Sequence, residues 1–561
     1  MCLVALISAC SNGEKKEQTV SANRWYMNSI IYNVEVRVFK DSDGDGIGDF
    51  NGLTQKIPYL KSLGVDAVWL APFQPTSYRD DGYDVMDYYG IDTKTGTKED
   101  FDSFIKAAHK AGIKVVMDVV LNHTSNSHPW YQKARLDSTS KYFNWYVWSK
   151  AKPKNFDEGM AFPGVQNETW TYDEVAKRYY FHRFYDFQPD LNFENKEVQA
   201  EGKKILTYWL NQGLDGFRLD AVPFIIDKPA EGDDAEPMYN ILSDLNATVK
   251  KLNPDAILLG EANVAPDKNK VFFGENGSRL QLMFNFYANQ YLFYSLADEH
   301  VSTFKEALQK THEKPTESQW AYFMRNHDEI DLGRLSSKER NKVYEKFGPE
   351  KSMQLYDRGI RRRLAPMIND AKKLELCYSL LFSLPGTPVI RYGEEIGMGD
   401  DLTLQERLSV RTPMQWSSGA NSGFTSGNKP YRPLINMGEY RYQAVNVDLQ
   451  SKNSQSLLSK IKQLIAARKA HPEIGLGAWN VLDTGADEVL AIEYTYEGRK
   501  SIVVHNFSKR RLEKVEISMK NASSSVIENV INPTEKLNLS NGRLTLALNG
   551  YEYKWYSLKE Q

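Results

Sequence analysis

The chain has 561 residues, long enough for several domains, and its Lys+Arg 70 against Asp+Glu 73 give a net charge of −3. That balance leaves no cationic excess to displace counterions, which excludes a general nucleic-acid binder, and 41% hydrophobic with 12% aromatic residues excludes a mainly disordered chain. Cysteine occurs only at Cys2, Cys10 and Cys377, too few for a disulfide scaffold or a Cys-rich metal cluster, and no apolar run approaches a membrane-spanning helix.

The first residues read as an address. The apolar stretch Leu3–Ala9 runs into Cys10 and then into polar residues, which resembles a lipoprotein cleavage site. Residues 1–23 are therefore expected to be a leader and linker, with the protein exported and lipid-anchored at Cys10. The alternative is an ordinary N-terminus on a cytoplasmic protein.

Next comes Asp41-x-Asp43-x-Asp45-Gly46. Alternate carboxylates around a tight glycine turn offer hard oxygen ligands that suit Ca²⁺. An EF-hand would end on a Glu at its twelfth position, where this loop has Gly52, so a single loop is expected.

Short apolar runs then recur between helical patterns: Ile30–Val34, Ala67–Leu70, Ile113–Asp118, Gly213–Asp220, Ile257–Glu261 and Trp320–Phe323. Strands alternating with helices mean βα units and a parallel sheet. Their number favours an α/β fold of the (β/α)₈ TIM-barrel type, with first part 24–123 and second part 191–476. Residues 124–190 break the alternation with Trp, Tyr, Phe and Pro and read as a subdomain inserted after the third strand. Its aromatic residues, Trp130 and Tyr142 through Trp148, are expected to form its own small core. Leu457, Ile461, Leu464 and Ile465 have helical spacing. After them 477–561 reads as a C-terminal antiparallel β-sandwich domain.

Four polar clusters stand at strand ends, where barrel enzymes place their active sites. They are Asp118–His123, Gly216–Asp220, Glu261 after Leu258-Leu259-Gly260, and Arg325–Asp328. Residues two apart on a strand share a face, so Arg218 lies beside Asp220 and is expected to lower its pKa and keep it ionised, as a nucleophile requires. Glu261, among apolar residues and other carboxylates, is expected to have a raised pKa that suits a general acid.

Asp118-x-Val120-x-Asn122-His123, Gly216-Phe217-Arg218-Leu219-Asp220, Gly260-Glu261-Ala262-Asn263 and Asn326-His327-Asp328 resemble the four signature regions of the α-amylase family, glycoside hydrolase family 13. Gln188-Pro189-Asp190-Leu191-Asn192 resembles its fifth. Phe323–Glu329, Gly359–Pro366 and Val410–Trp416 bring the chain closest to the trehalose synthase (maltose α-D-glucosyltransferase) branch. Arg391 and Glu394 depart from it, since that branch usually shows Tyr and Asp there, and its members are normally cytoplasmic.

The resemblance implies a retaining double displacement on small maltose-like α-glucosides, by glucosyl transfer, isomerisation of maltose to trehalose, or hydrolysis. In it Asp220 is the nucleophile, Glu261 the acid/base and Asp328 the stabiliser of the charged ring. Substrate hydroxyls fall to Tyr83, Asp84, His123, Arg218 and His327. It further implies structural calcium held by Asp41, Asp43, Asp45, the Ile47 carbonyl and Asp49, and a second site at Asn122 and Asp190, with or without Asp227. No organic cofactor is expected. A secreted α-amylase or an oligo-1,6-glucosidase is the alternative enzyme. A non-enzymatic binding protein is disfavoured, because the catalytic set is complete.

Overall fold

The computed structural model describes residues 24–229, 235–519, 526–539 and 542–558. The leader and Cys10 lie outside the described residues. Eight parallel strands close into a barrel: β1 (Ile31–Val34), β2 (Ala67–Leu70), β3 (Lys114–Val119), β4 (Gly216–Leu219), β5 (Ile257–Gly260), β6 (Leu282–Phe284), β7 (Gln319–Phe323) and β8 (Thr387–Arg391). They neighbour one another in chain order, and β8 closes on β1 with Ile31 opposite Val389. Both strand faces are buried, as a parallel sheet wrapped in helices requires. Ile31, Trp69, Val116, Leu259, Phe284 and Phe323 fill the barrel interior.

Sequence reasoning missed β6 and β8. β6 has only three residues, too few to display a period. β8 carries Pro388, which cannot donate to a ladder, and ends on Arg391. That arginine is fully buried and donates to Glu35 at 2.7 Å, while Arg363 donates to Glu394 at 3.1 Å. The two residues that depart from the trehalose synthase pattern thus each complete a buried ion pair.

After β3 the chain forms a small antiparallel sheet of Trp148–Ser149, Arg178–Phe181 and Trp170–Asp173. Trp148 stacks on Phe143 at 5.2 Å, but Trp130 stacks on Tyr88 of the barrel part at 5.4 Å and Trp145 and Tyr146 join the main core, so the expected separate core is corrected: these rings tie the insertion to the barrel. Ser456 caps the helix Leu457–Ala470, whose Leu458, Ile461, Leu464 and Ile465 are buried. Beyond it an antiparallel sheet (Ala478–Val481, Val489–Tyr496, Arg499–Asn506, Tyr553–Leu558, Val526–Asn529, Lys536–Asn538) faces the pair Leu512–Ser518 and Arg543–Leu548. Val489, Ile502, Val504, Val515, Ile517 and Leu544 form the core between the two sheets.

Candidate active site

Asp220 follows β4, Glu261 follows β5 and Asp328 lies just beyond β7, so all three sit at the C-terminal mouth of the barrel. One guanidinium gathers the first two. Arg218, 1% exposed, donates through Nη1 to Asp118 at 2.8 Å and to Asp220 at 2.5 Å, and its Nη2 lies 2.9 Å from Glu261. The other Glu261 oxygen accepts from the Ala221 backbone N–H at 2.9 Å. Ala221 reaches that oxygen from a left-handed backbone, φ 49°, a strained conformation for alanine of the kind that gathers at functional sites.

Burial sets the charge states. It pushes Asp220 up to about 6 even with Arg218 alongside, because Asp118 and Asp328 also face it. Arg218 lowers this pKa as expected, but the expected net depression is corrected, because desolvation and the two carboxylates outweigh the cation. Glu261 rises to about 7, chiefly from burial, with Asp220 and Asp328 adding to it. Asp328 goes the other way. Burial opposes its ionisation, yet His327, Arg407, Arg411 and Arg218 hold it well below the usual carboxylate range. Burial keeps His327 itself far below its ordinary value, so the imidazole whose Nε2 lies 3.0 Å from Asp328 is neutral and the guanidiniums supply the charge. The site therefore holds a proton-bearing Glu261 beside ionisable Asp220 and a fixed negative Asp328, a set able to break and remake an acetal.

The α-amylase catalytic-domain model matches residues 33–477. The chain belongs to the α-amylase family. It is 36% identical over 554 residues to the trehalose synthase/amylase of Mycolicibacterium smegmatis, covering 96% of this chain and 93% of that one. It is 40% identical over 495 residues to the trehalose synthase of Thermus thermophilus, covering 86% and 50%. The oligo-1,6-glucosidase of Bacillus cereus is 30% identical over 546 residues, covering 86% and 91%. Among solved structures, a trehalulose synthase variant in complex with Tris superposes with a TM-score of 0.76 at 25% identity, covering 95% of this chain and all of that one.

In this α-amylase-family chain Asp220, Glu261 and Asp328 line a pocket of about 540 Å³, together with Tyr83, His123 and His327. The Tyr83 ring stacks on His327 at 5.3 Å, and its hydroxyl donates to Asp118 at 2.8 Å. His123 Nε2 donates to the Tyr83 carbonyl at 2.9 Å, so this histidine braces the wall with the nitrogen that would otherwise reach a sugar. Asp84 is redirected too. It is fully buried and accepts from Thr76 Oγ1 at 2.6 Å and from the Arg79 and Asp80 backbone N–H groups. Its carboxylate is spent on folding its own loop, away from the pocket wall.

The wall residue from that loop is Asp80, which sequence reasoning missed along with Arg407. Arg407 donates to Asp80 at 3.0 Å and to Asp328 at 2.7 Å, and its guanidinium lies 4.9 Å over the Phe162 ring. Tyr185 and Tyr356 both donate to Glu406. Residues of the inserted subdomain (Phe162, Tyr185), of the segment between β7 and β8 (Tyr356) and of the segment after β8 (Glu406, Arg407) thereby meet. No local pattern announces this, since Asp80 and Arg407 are 327 positions apart.

At the glycine turn, ligand atoms of Asp41, Asp43 and Asp49 lie within 4.8 Å of one another. Asp45 stands outside that trio and accepts from the Ile47 N–H at 2.7 Å. Gly46 holds φ 95°, and a Cβ there would meet the Lys429 carbonyl at 2.4 Å, so glycine is required. Asp190 is buried, rises to about 7 chiefly from burial, accepts from the Arg183 N–H at 2.9 Å and is bonded by Asn122. Asp227 pairs with the Arg183 guanidinium at 2.7 Å, so at this second locus an arginine already supplies positive charge.

Proposed function

We propose that the chain transfers a glucosyl unit with retention and isomerises maltose to trehalose, releasing some glucose by hydrolysis. The observation that carries this reading is the wall made by Asp80, Arg407 and Asp328. An ion-paired wall beside the three carboxylates closes the pocket on that side, which favours a substrate entering by its end over a polymer running through and so disfavours an endo-acting amylase. The relatives named trehalose synthase support the same branch.

In the forward half-reaction Asp220 attacks the anomeric carbon. The glycosidic C–O bond breaks as Glu261 gives its proton to the departing oxygen, leaving a glucosyl ester and free glucose. Glu261, now a carboxylate, removes a proton from the glucose's anomeric hydroxyl, whose oxygen attacks the anomeric carbon of the glucosyl ester as that carbon's bond to Asp220 breaks. Attack by water instead yields two glucoses, so retention of the leaving glucose decides the product. Asp328 stays ionised throughout and stabilises the cationic ring.

The donor set Asp41, Asp43 and Asp49 fits a hard cation, and calcium held there would tie the 41–49 loop to the barrel rather than enter the chemistry. For export we keep Cys10 as the lipid-bearing residue, which mass spectrometry of the membrane fraction tests.

The decisive measurement is product analysis on maltose and on trehalose by anion-exchange chromatography. Trehalose as the main product from maltose supports the isomerase. Glucose as the main product, with trehalose untouched, overturns it in favour of an oligo-1,6-glucosidase-like hydrolase.

A further inference from the structure

A second cavity, of about 1010 Å³, opens at the opposite end of the barrel, where the start of β7 and the segment before β1 meet the C-terminal domain. Its size is at the upper end of the roughly 300–1,000 Å³ typical of small-molecule sites. Trp25, Trp479 and Tyr496 line it. Their placement follows from the fold. Trp479 pairs across the sheet with Tyr494, so it shares a face with Tyr496 two residues further on. Trp25 fixes its indole edge by donating to the Asp255 carbonyl at 3.0 Å. His312 packs edge-on to Trp479 at 4.5 Å.

Beside the rings stand neutral polar groups, Asn28 and Thr316 among them. The Asn28 side-chain oxygen is buried without a protein partner, and Gly475 makes room for it, since a Cβ there would meet it at 2.1 Å. A buried acceptor left without a donor is costly, and a ligand hydroxyl would satisfy it. The cations on the wall are already engaged. Arg24 pairs with Glu317 at 2.5 Å, and Lys314 donates to the Ser318 carbonyl at 2.7 Å. Little positive charge is left for an anion.

We propose that this cavity is a second, non-catalytic carbohydrate site that takes a neutral α-glucan oligosaccharide. Pyranose C–H faces lie on the electron-rich faces of Trp479 and Tyr496, and hydroxyls donate to Asn28. A chain held here keeps the enzyme near its source of short glucosides without competing for the catalytic pocket.

The test is calorimetric titration of the full-length Asp220→Ala protein with maltoheptaose. Two classes of site are expected, one of which weakens by about tenfold or more in Asp220→Ala/Trp479→Ala, the loss of roughly 1.4 kcal/mol typical of an aromatic anchor. Trp479→Ala alone, with Asp220 intact, should turn over maltose at the parent rate. Thr316→Arg, at an exposed loop position that lines the cavity, blocks the mouth without removing packing and should weaken the same class, which covers a Trp479→Ala protein that fails to fold. A single class of site, or a second class untouched by both substitutions, overturns the proposal. Neither result depends on which products are formed from maltose.

Discussion

The stability of Glu261→Gln relative to the parent should increase as pH rises. Burial lifts the folded pKa of Glu261 from 4.5 to about 7, so the fold favours the protonated form. The stability tied to that proton is complete below about 4.5 and is lost as pH rises through about 7, where the folded protein must give the proton up at a cost the unfolded chain does not bear. A rise of that size corresponds to about 3 kcal/mol at ~1.4 kcal/mol for each pH unit. The side chain is 23% exposed, and screening by water leaves about 1–2 kcal/mol. Glutamine keeps the shape and the neutral charge at every pH, so it avoids the loss. Removing the Arg218 contact adds an offset, but the trend with pH survives it. In a chain of this length the gain amounts to roughly 1–2 °C in melting temperature between pH 5 and pH 8. Paired thermal melts of the two proteins across that range are the assay. A difference that is flat with pH, or that narrows toward pH 8, refutes the view that Glu261 is held protonated by burial.

Activity should follow the same pair of carboxylates. Asp220 must be ionised and Glu261 protonated, so kcat/KM on maltose should be bell-shaped, with limbs near the values of about 6 and about 7 and a narrow optimum between them. Full activity persisting down to pH 4 would contradict this. Arg407→Ala removes the bridge between Asp80 and Asp328 and should cost about 10²-fold in kcat/KM, as expected for a misplaced substrate; steady-state kinetics within a few-fold of the parent would show that the wall does not position the sugar. Chelation by EDTA should lower the melting temperature while leaving the initial rate at 25 °C intact, and Asp41→Asn/Asp43→Asn should abolish that sensitivity. Loss of the initial rate in the folded protein would assign the metal a catalytic part instead.

What could be read in the sequence was whatever one segment carries by itself. Ala67–Leu70 and Ile257–Gly260 are apolar runs complete in themselves, and Asp220 and Glu261 stand at the ends of such runs, so strand and carboxylate could be read together. β6 is too short to show a period, and β8 is masked by Pro388 and Arg391. The pocket wall was invisible for a stronger reason. Asp80 and Asp84 are both acidic and stand four residues apart on one loop, and only folding decides which turns inward. Asp84 binds the Thr76 hydroxyl and two backbone N–H groups, which leaves Asp80 to face Arg407.

The pKa of Asp220 illustrates the same limit. Arg218 lies two residues away in sequence, so its influence could be anticipated, whereas Asp118 and Asp328 come from β3 and from beyond β7 and meet Asp220 only in the closed barrel. Side-chain type at a strand end thus singles out the candidate groups, and the meeting of distant loops sets their protons and the shape of the space around them. That division has a consequence for the reaction. Asp220, Glu261 and Asp328 can serve transfer and hydrolysis alike, so under the proposed mechanism the choice between trehalose and glucose rests on how long Phe162 and Arg407, which line the pocket, keep water from the glucosyl ester.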